Sequence, residues 1–377
     1  MLNIYLRFSN TIELMKKIYF LILSFLLFLS CKTDEKMEAV ETESSLVNFN
    51  IDAVPYSKLS TYSFFTGDLK NLNPSKKVIP YEPASSLFTD YALKKRFIWM
   101  PESTKASYVS DDQSLNFPVG TVLIKNFYYN TVQPGNSTKI IETRLMIKKA
   151  SGWIFAEYLW NDDQTEANLV TGADFTTGSS KNITFKKSNN DVITTAYRIP
   201  SESECYACHK LDNQPVPIGV KPQNLNVSYN YSNGLKNQLQ KLVDEGYLQS
   251  YPSNIVSTVD YRDTSKPVDI RLRSYVDINC AHCHQEKARC DYRAIRLSFN
   301  KTTNFANMGV CVTADEPIDQ SLERIITPGN HNKSVMNYRL NSEDESMRMP
   351  LLGRTVVHDE GVELLKQWIN SLNQNCP

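Results

Sequence analysis

From residue 51 to residue 200 the apolar positions fall in short runs rich in β-branched and aromatic residues, broken by turn residues. Residues 120–129 form one such run and residues 142–148 another, with Pro134-Gly135-Asn136 between them as a turn, so the two are expected to pair as a hairpin. Residues 152–160 are expected as a third strand. Residues 183–187 and 192–197 flank Ser188-Asn189-Asn190-Asp191, a second hairpin signal. The expected product is an antiparallel sheet packed as a sandwich or partial barrel. Trp99, Trp153 and Trp160 are read as core at strand spacing rather than as a sugar-binding surface, and Asp162, Asp163 and Glu166 as a solvated loop rather than a cation site.

From residue 201 the pattern turns helical. Ser201 and Glu204 have capping-box spacing and predict a short helix start. Leu235, Leu239 and Leu242 suggest a second helix ending near Gly246. Residues 271–279 run straight into Cys280. Val362, Leu365, Ile369 and Leu372, with Leu364 and Trp368 beside them, predict a closing amphipathic helix. No repeat of solenoid length is present.

The N-terminus follows other rules. Lys16 and Lys17 precede an apolar run over residues 18–29, too short for a comfortable membrane span, and Ser30 precedes Cys31. A small residue and then cysteine after such a run is expected to be a lipoprotein processing site, with cleavage before Cys31 and lipid on it; a plain secretory peptide or an uncleaved anchor is the alternative. The residues before Met15 do not suit a signal, so Met15 is expected to be the start. Residues 32–47 are polar, acidic and nearly without aromatics, the composition of a tether. The expected divisions are 1–30 signal, 31–50 tether, 51–200 β-rich domain, 201–265 and 266–377.

Composition narrows the partners. The chain of 377 residues carries 41 basic and 41 acidic side chains, a net charge of zero, which gives no reason to expect nucleic acid or a broad charged docking face.

The chemistry lies in a pattern that occurs twice, Cys205-Tyr206-Ala207-Cys208-His209 and Cys280-Ala281-His282-Cys283-His284, in a chain with eight cysteines and five histidines. Cys-x-x-Cys-His is the attachment site of haem c: two cysteines form thioethers and the adjoining histidine reaches the iron. A zinc ribbon would place its cysteine pairs about 15–20 residues apart and would not need a histidine after both. A pair of redox disulfides would leave the same histidines unexplained. Two haem c groups are therefore expected, on Cys205, Cys208, Cys280 and Cys283, with His209 and His284 as axial ligands.

Arg348-Met349-Pro350-Leu351-Leu352-Gly353 lies between the second motif and the closing helix. A thioether can fill the distal side of a haem iron and raise its potential. Met349 is expected to do so, with Met347 as near competitor. Helix, motif, methionine loop and closing helix follow the order of a small cytochrome c fold. The expected class is thus α+β and multidomain: an N-terminal antiparallel β domain followed by a mainly α, cytochrome c-like diheme region.

These motifs, together with residues 92–101 and 117–125, make the chain from Tyr91 to Leu372 resemble a bacterial group of lipid-anchored diheme c-type cytochromes. The resemblance implies haem attachment on the cysteines and histidines named above and a ligand role for Met349. It implies no defined reaction.

No methionine or histidine lies between His209 and Cys280. The distal ligand of the first haem is therefore expected from elsewhere (Met100, Met308, Met336, His282, His331 or His358), from an unusual donor such as lysine, or not at all. An open position would suit a peroxidase-like enzyme. Single-electron transfer between redox protein partners is the expected function. Three cysteines remain after lipid and haem, and Cys290 and Cys311 are expected to pair in an oxidising compartment, leaving Cys376 free. The expected location is outside the cytoplasm, tethered to a membrane by Cys31 on the periplasmic face or outer surface of a Gram-negative cell.

Overall fold

A computed structural model describes residues 45–377, which form one compact unit. The expected signal, Cys31 and residues 32–44 of the expected tether lie outside the described residues. The last tether residues pack on the body: Phe49 meets the Trp99 ring at 5.0 Å, and the Asn48 amide donates to the Tyr62 carbonyl at 2.9 Å.

A short ribbon of β1 (Phe65–Thr66) and β2 (Asn73–Pro74) comes first. The main sheet is antiparallel and has eight strands: β3 (Ile79–Tyr81), β4 (Leu93–Trp99), β5 (Val122–Val132), β6 (Ser137–Lys149), β7 (Gly152–Trp160), β8 (Ala167–Leu169), β9 (Ser179–Lys186) and β10 (Val192–Ile199). Both expected hairpins are present, as β5–β6 and β9–β10. Strand β5 is central. It pairs with β4 and β6 along most of its length and with β9 at its far end.

Alternation along these strands gives the sheet two different faces. Val122, Ile124, Leu145, Ile147, Ala156 and Tyr158 point to a core closed by Leu59, Tyr62 and Phe64 of the N-terminal segment. Leu123, Met146 and Phe155 point the other way, against Val220, Leu225, Leu239 and Leu242. The chain beyond residue 201 thus covers the second face. A partner sheet for a sandwich is absent among the described residues, where the other sheets are two-stranded ribbons: β1–β2, β11 (Lys210–Leu211) with β12 (Gln214–Pro215), and β13 (Ser228–Tyr231) with β14 (Gly234–Asn237). Trp99, Trp153 and Trp160 are buried in these cores, as their strand spacing predicts.

The helices are α1 (Gly172–Thr177), α2 (Glu202–Cys208), α3 (Pro222–Leu225), α4 (Gln238–Asp244), α5 (Val268–Asn279), α6 (Val335–Leu340) and α7 (Asp359–Ser371). The expectation of a mainly α, cytochrome c-like region is overturned. The eight-stranded sheet dominates, and beyond residue 201 only α5 and α7 exceed seven residues. Residues 280–304 are turns and bends. Their backbone groups find partners locally rather than in a helical ladder: the Arg296 guanidinium donates to the carbonyls of Asp291 and Ile295 at 2.7 and 2.8 Å, and the Leu297 amide to that of His284 at 2.9 Å. The closing helix is as expected, with Val362, Leu365, Trp368 and Ile369 buried against α5.

The Cys290–Cys311 pairing is also overturned. Cys311 bonds Cys376, with their Cα atoms 5.2 Å apart, and Cys290 is a free thiol. The tail after α7 returns to the 311 turn, where the Gln374 amide reaches Cys311 Sγ at 3.8 Å, so the last residues rather than Cys290 come within bonding geometry. The bond closes a separation of 65 residues. On loop entropy, Cys376→Ser is expected to cost about 4 kcal/mol, seen as a lower midpoint in urea. Native, haem-matured protein should take a single alkylation, at Cys290.

Candidate functional site

The first motif sits on a helix built to hold it. Ser201 caps α2: its hydroxyl accepts from the Glu204 amide at 3.2 Å, and the Glu204 carboxylate accepts from the Ser201 amide at 2.7 Å. Cys205 and Cys208 occupy the last turn, and His209 is the C-cap. The His209 Nδ1 donates to the Val216 carbonyl at 2.8 Å. That bond fixes the tautomer and leaves Nε2 free, the arrangement of a metal-ligating imidazole. Burial, ahead of other causes, lowers the His209 pKa to about 4.

The second motif follows α5 directly. Cys280 is the helix C-cap, and the His284 amide donates to the Cys280 carbonyl at 3.0 Å. The Nδ1 atoms of His282 and His284 are buried without a hydrogen-bond partner. Burial, reinforced by His282, Arg293 and Arg296, lowers the His284 pKa to about 4.

Each motif opens into its own cleft. The second motif faces a cavity of about 1180 Å³, its open mouth included, walled by Ile295, Leu297, Met336, Leu340, Met349 and Leu352. The first faces one of about 1290 Å³, walled on one side by sheet residues Leu123, Lys125, Met146 and Phe155. The two clefts share Cys208, His282, Asn279, Pro350 and Leu352 in their walls. The motifs therefore stand back to back. Ligand atoms of Cys208, His282 and Cys283 lie within 4.8 Å of one another. A hydrogen bond from Cys283 holds the Cys208 thiol well below its ordinary pKa, and the same bond pushes Cys283 up. Cys205 and Cys280, outside this cluster, are each raised to about 12 by burial.

The methionine loop is clamped. Arg354 is 2% exposed, and its guanidinium donates to the carbonyls of Met349 (2.9 and 3.1 Å), Leu340 (3.1 Å), Ser342 (2.9 Å), Arg339 (3.2 Å) and Val356 (3.3 Å). From the sheet side, buried Asp90 accepts from the amides of Thr355 and Val356 at 2.6 and 3.1 Å and from the Thr355 and Thr195 hydroxyls. Met349 lines the cleft of the second motif. Met347 does not line that cleft, whereas Met336 does.

Most distal candidates for the first motif are elsewhere. Met100 and Met308 are buried in apolar cores. Met336 lines the other cleft. His331 Nδ1 bonds the Asn370 side chain at 2.9 Å. Only His282 borders the first cleft.

His358 belongs to an aromatic box. It stacks on Phe88 at 4.1 Å, and its two nitrogens meet the hydroxyls of Tyr275 and Tyr261 at 3.0 and 3.3 Å. Burial lowers its pKa to about 3, so the nearby Glu360 carboxylate, 3.6 Å away, faces a neutral ring at neutral pH. Its unfolded imidazole binds a proton near pH 6.5, the folded one only near 3. The unfolded state binds more protons between these values, so this contribution to stability is present above pH 6.5 and lost as pH falls toward 3. Urea unfolding of His358→Gln should show a flatter acid limb than wild type; equal slopes would contradict this.

The sheet's contribution was not expected, since no chemistry was assigned to the β region. Its second face carries, side by side across β4, β5, β6 and β7, the row Arg96, Lys125, Arg144 and Glu157. Glu142 holds Arg144 in a short ion pair and accepts from the Tyr197 hydroxyl at 2.5 Å. Glu157, whose two oxygens accept no hydrogen bond and whose Oε1 lies 3.9 Å from Arg144 Nε, is raised to about 10 by burial and by Glu142. Strand alternation could have marked Lys125, Arg144 and Glu157 as sharing a face with Leu123 and Met146, because period two follows from the register alone.

No family model, curated protein or solved structure matches the chain.

Proposed function

We propose that this chain is a diheme c-type electron carrier. Cys205, Cys208 and His209 would hold one haem, and Cys280, Cys283, His284 and Met349 the other. When bound, haem supplies an iron centre that cycles by one electron. The chain's own residues do the rest. The cysteines provide covalent anchors. His209 presents a fixed lone pair through its bond to Val216. Apolar side chains such as Ile295, Leu297 and Leu340 in the second cleft and Leu123 and Phe155 in the first lower the polarity around each site. Arg354 and Asp90 hold the loop that presents Met349.

The observation that carries this reading is that two Cys-x-x-Cys-His motifs each border a cleft, that the clefts share Cys208 and His282 in their walls, and that Cys208 and Cys283 of the two motifs lie within 4.8 Å of each other. Convergent sites favour passage of an electron from one to the other. The export pattern and Cys31 add that the chain is tethered to a membrane outside the cytoplasm, with redox proteins as partners. The resemblance to lipid-anchored diheme cytochromes agrees. A pyridine hemochrome assay on protein matured with an intact haem-attachment system should give two haems per chain; colourless protein from that system would refute the proposal.

One observation favours a second reading. Cys208, His282 and Cys283 have the spacing of a three-donor metal site, such as one for zinc. It leaves Cys205, His209, Cys280, His284 and both clefts without a role, so it ranks below haem.

A further inference from the structure

The first cleft is bordered by an amine with no hydrogen-bond or ion-pair partner among the described residues. Lys125 lies on β5 and its side chain helps to wall the cleft that holds Cys205, Cys208 and His209. Among the described residues it makes neither a hydrogen bond nor an ion pair; its ammonium position lies 4.8 Å from the Phe127 ring centre. Its cross-strand neighbours are Arg96 and Arg144, both cations. Like charges directly opposite across a sheet are destabilising, and burying a charged amine without a partner costs several kcal/mol, so such a group gives up its proton. Burial first, and then Arg96 and Lys94, hold its pKa well below the ordinary lysine value. The group is driven toward the neutral form, which has a free lone pair.

It borders the same cleft as His209. The His209 ring stands 5.4 Å from that of Phe155. Phe155 lies in the sheet row next to the one that contains Lys125. The rival donors bordering this cleft include His282, Met146 and Tyr81, and burial pushes the Tyr81 hydroxyl up to about 12, away from the ionised form that ligates. His282 is drawn into the cluster with Cys208 and Cys283. Met146 is 8% exposed and packed in an apolar core, an environment a thioether needs no ligand to justify.

We propose that Lys125 is the sixth ligand of the iron held by His209, its Nζ lone pair donated to the metal after its proton has left to solvent. This rests on the diheme reading. It closes the open position that a peroxidase would need, and it makes the sheet part of the first haem site.

The test uses the full-length, haem-matured protein with haem counted per chain for every variant. Lys125→Arg keeps a long basic side chain at the position but cannot ligate, because guanidinium does not deprotonate. Resonance Raman and electron paramagnetic resonance should show both haems low-spin in wild type. In Lys125→Arg about half of that low-spin signal should be lost to a high-spin species that binds added imidazole or carbon monoxide. Met146→Leu should leave the spectra unchanged. The proposal is overturned if Lys125→Arg keeps both haems low-spin, if Met146→Leu is the variant that opens the site, or if wild type already has a high-spin haem. If Lys125→Arg does not mature, near-infrared magnetic circular dichroism of wild type decides between amine and thioether at the first haem. Wild type without haem would instead refute the diheme reading itself.

Discussion

Cys205→Ala and Cys280→Ala, made separately, are each expected to reduce the number of doubly attached haems per chain from two to one. Neither cysteine belongs to the Cys208–His282–Cys283 cluster. A metal held by that cluster alone would survive both substitutions unchanged. Haem attachment would not, because each of the two cysteines supplies one thioether of its own pair. The two variants also assign the spectra. Cys205→Ala weakens attachment in the cleft bounded by the sheet, so the fully attached haem is the one facing Met349. Cys280→Ala leaves the haem beside Lys125. Proteolysis and mass analysis of the haem peptides give the count directly; two doubly attached haems in either variant would contradict the assignment.

Arg354→Ala is expected to have the largest effect on stability of any substitution away from the motifs. The buried guanidinium serves five backbone carbonyls, those of Arg339, Leu340, Ser342, Met349 and Val356. Truncation would leave them facing a cavity that a few waters fill incompletely. Each buried group left without a partner costs about 1–3 kcal/mol, and with partial rehydration the sum is about 3–5 kcal/mol. The loss should appear as a lower urea midpoint. It should also appear at the second haem, because two of those bonds hold the Met349 carbonyl: the methionine-to-iron charge-transfer band should weaken or vanish. Arg354→Lys keeps the charge but reaches fewer carbonyls, and should fall between alanine and wild type. A variant that lost stability but kept the band intact would show that the clamp supports the fold without presenting the methionine.

Much of this site could be read in the chain, and the reasons are local. The two motifs are contiguous, and the chemistry of adjacent cysteines and histidine does not depend on what surrounds them. The capping box at Ser201 and Glu204 is equally local, and it appears with both of its hydrogen bonds. The closing helix declared itself through the 3.6-residue period of Val362, Leu365 and Ile369. The strands at 122–132, 137–149 and 152–160 came from β-branched and aromatic runs bounded by turn residues.

What could not be read was set by contacts between distant residues. A helical region was expected after residue 201 because motif, loop and final helix follow a familiar order. The intervening chain instead satisfies its backbone through turns and arginine side chains, which leave no periodic mark. Cys376 pairs with Cys311 because the tail folds back from α7, a path that sequence spacing does not encode. The meeting of the two motifs at Cys208 and Cys283, 75 positions apart by their numbers, depends on the whole body. Lys125 is the clearest case: its strand was expected, but only the register of β4, β5 and β6 places it between two arginines and against the first cleft.

The central claim is that the chain carries porphyrin at both motifs. Intact-mass measurement of natively matured protein tests it most directly. The account predicts the mass of the processed chain plus two haem groups, with peptides spanning Cys205–His209 and Cys280–His284 each bearing one. A mass equal to the processed chain without haem, or haem on one peptide alone, would contradict it.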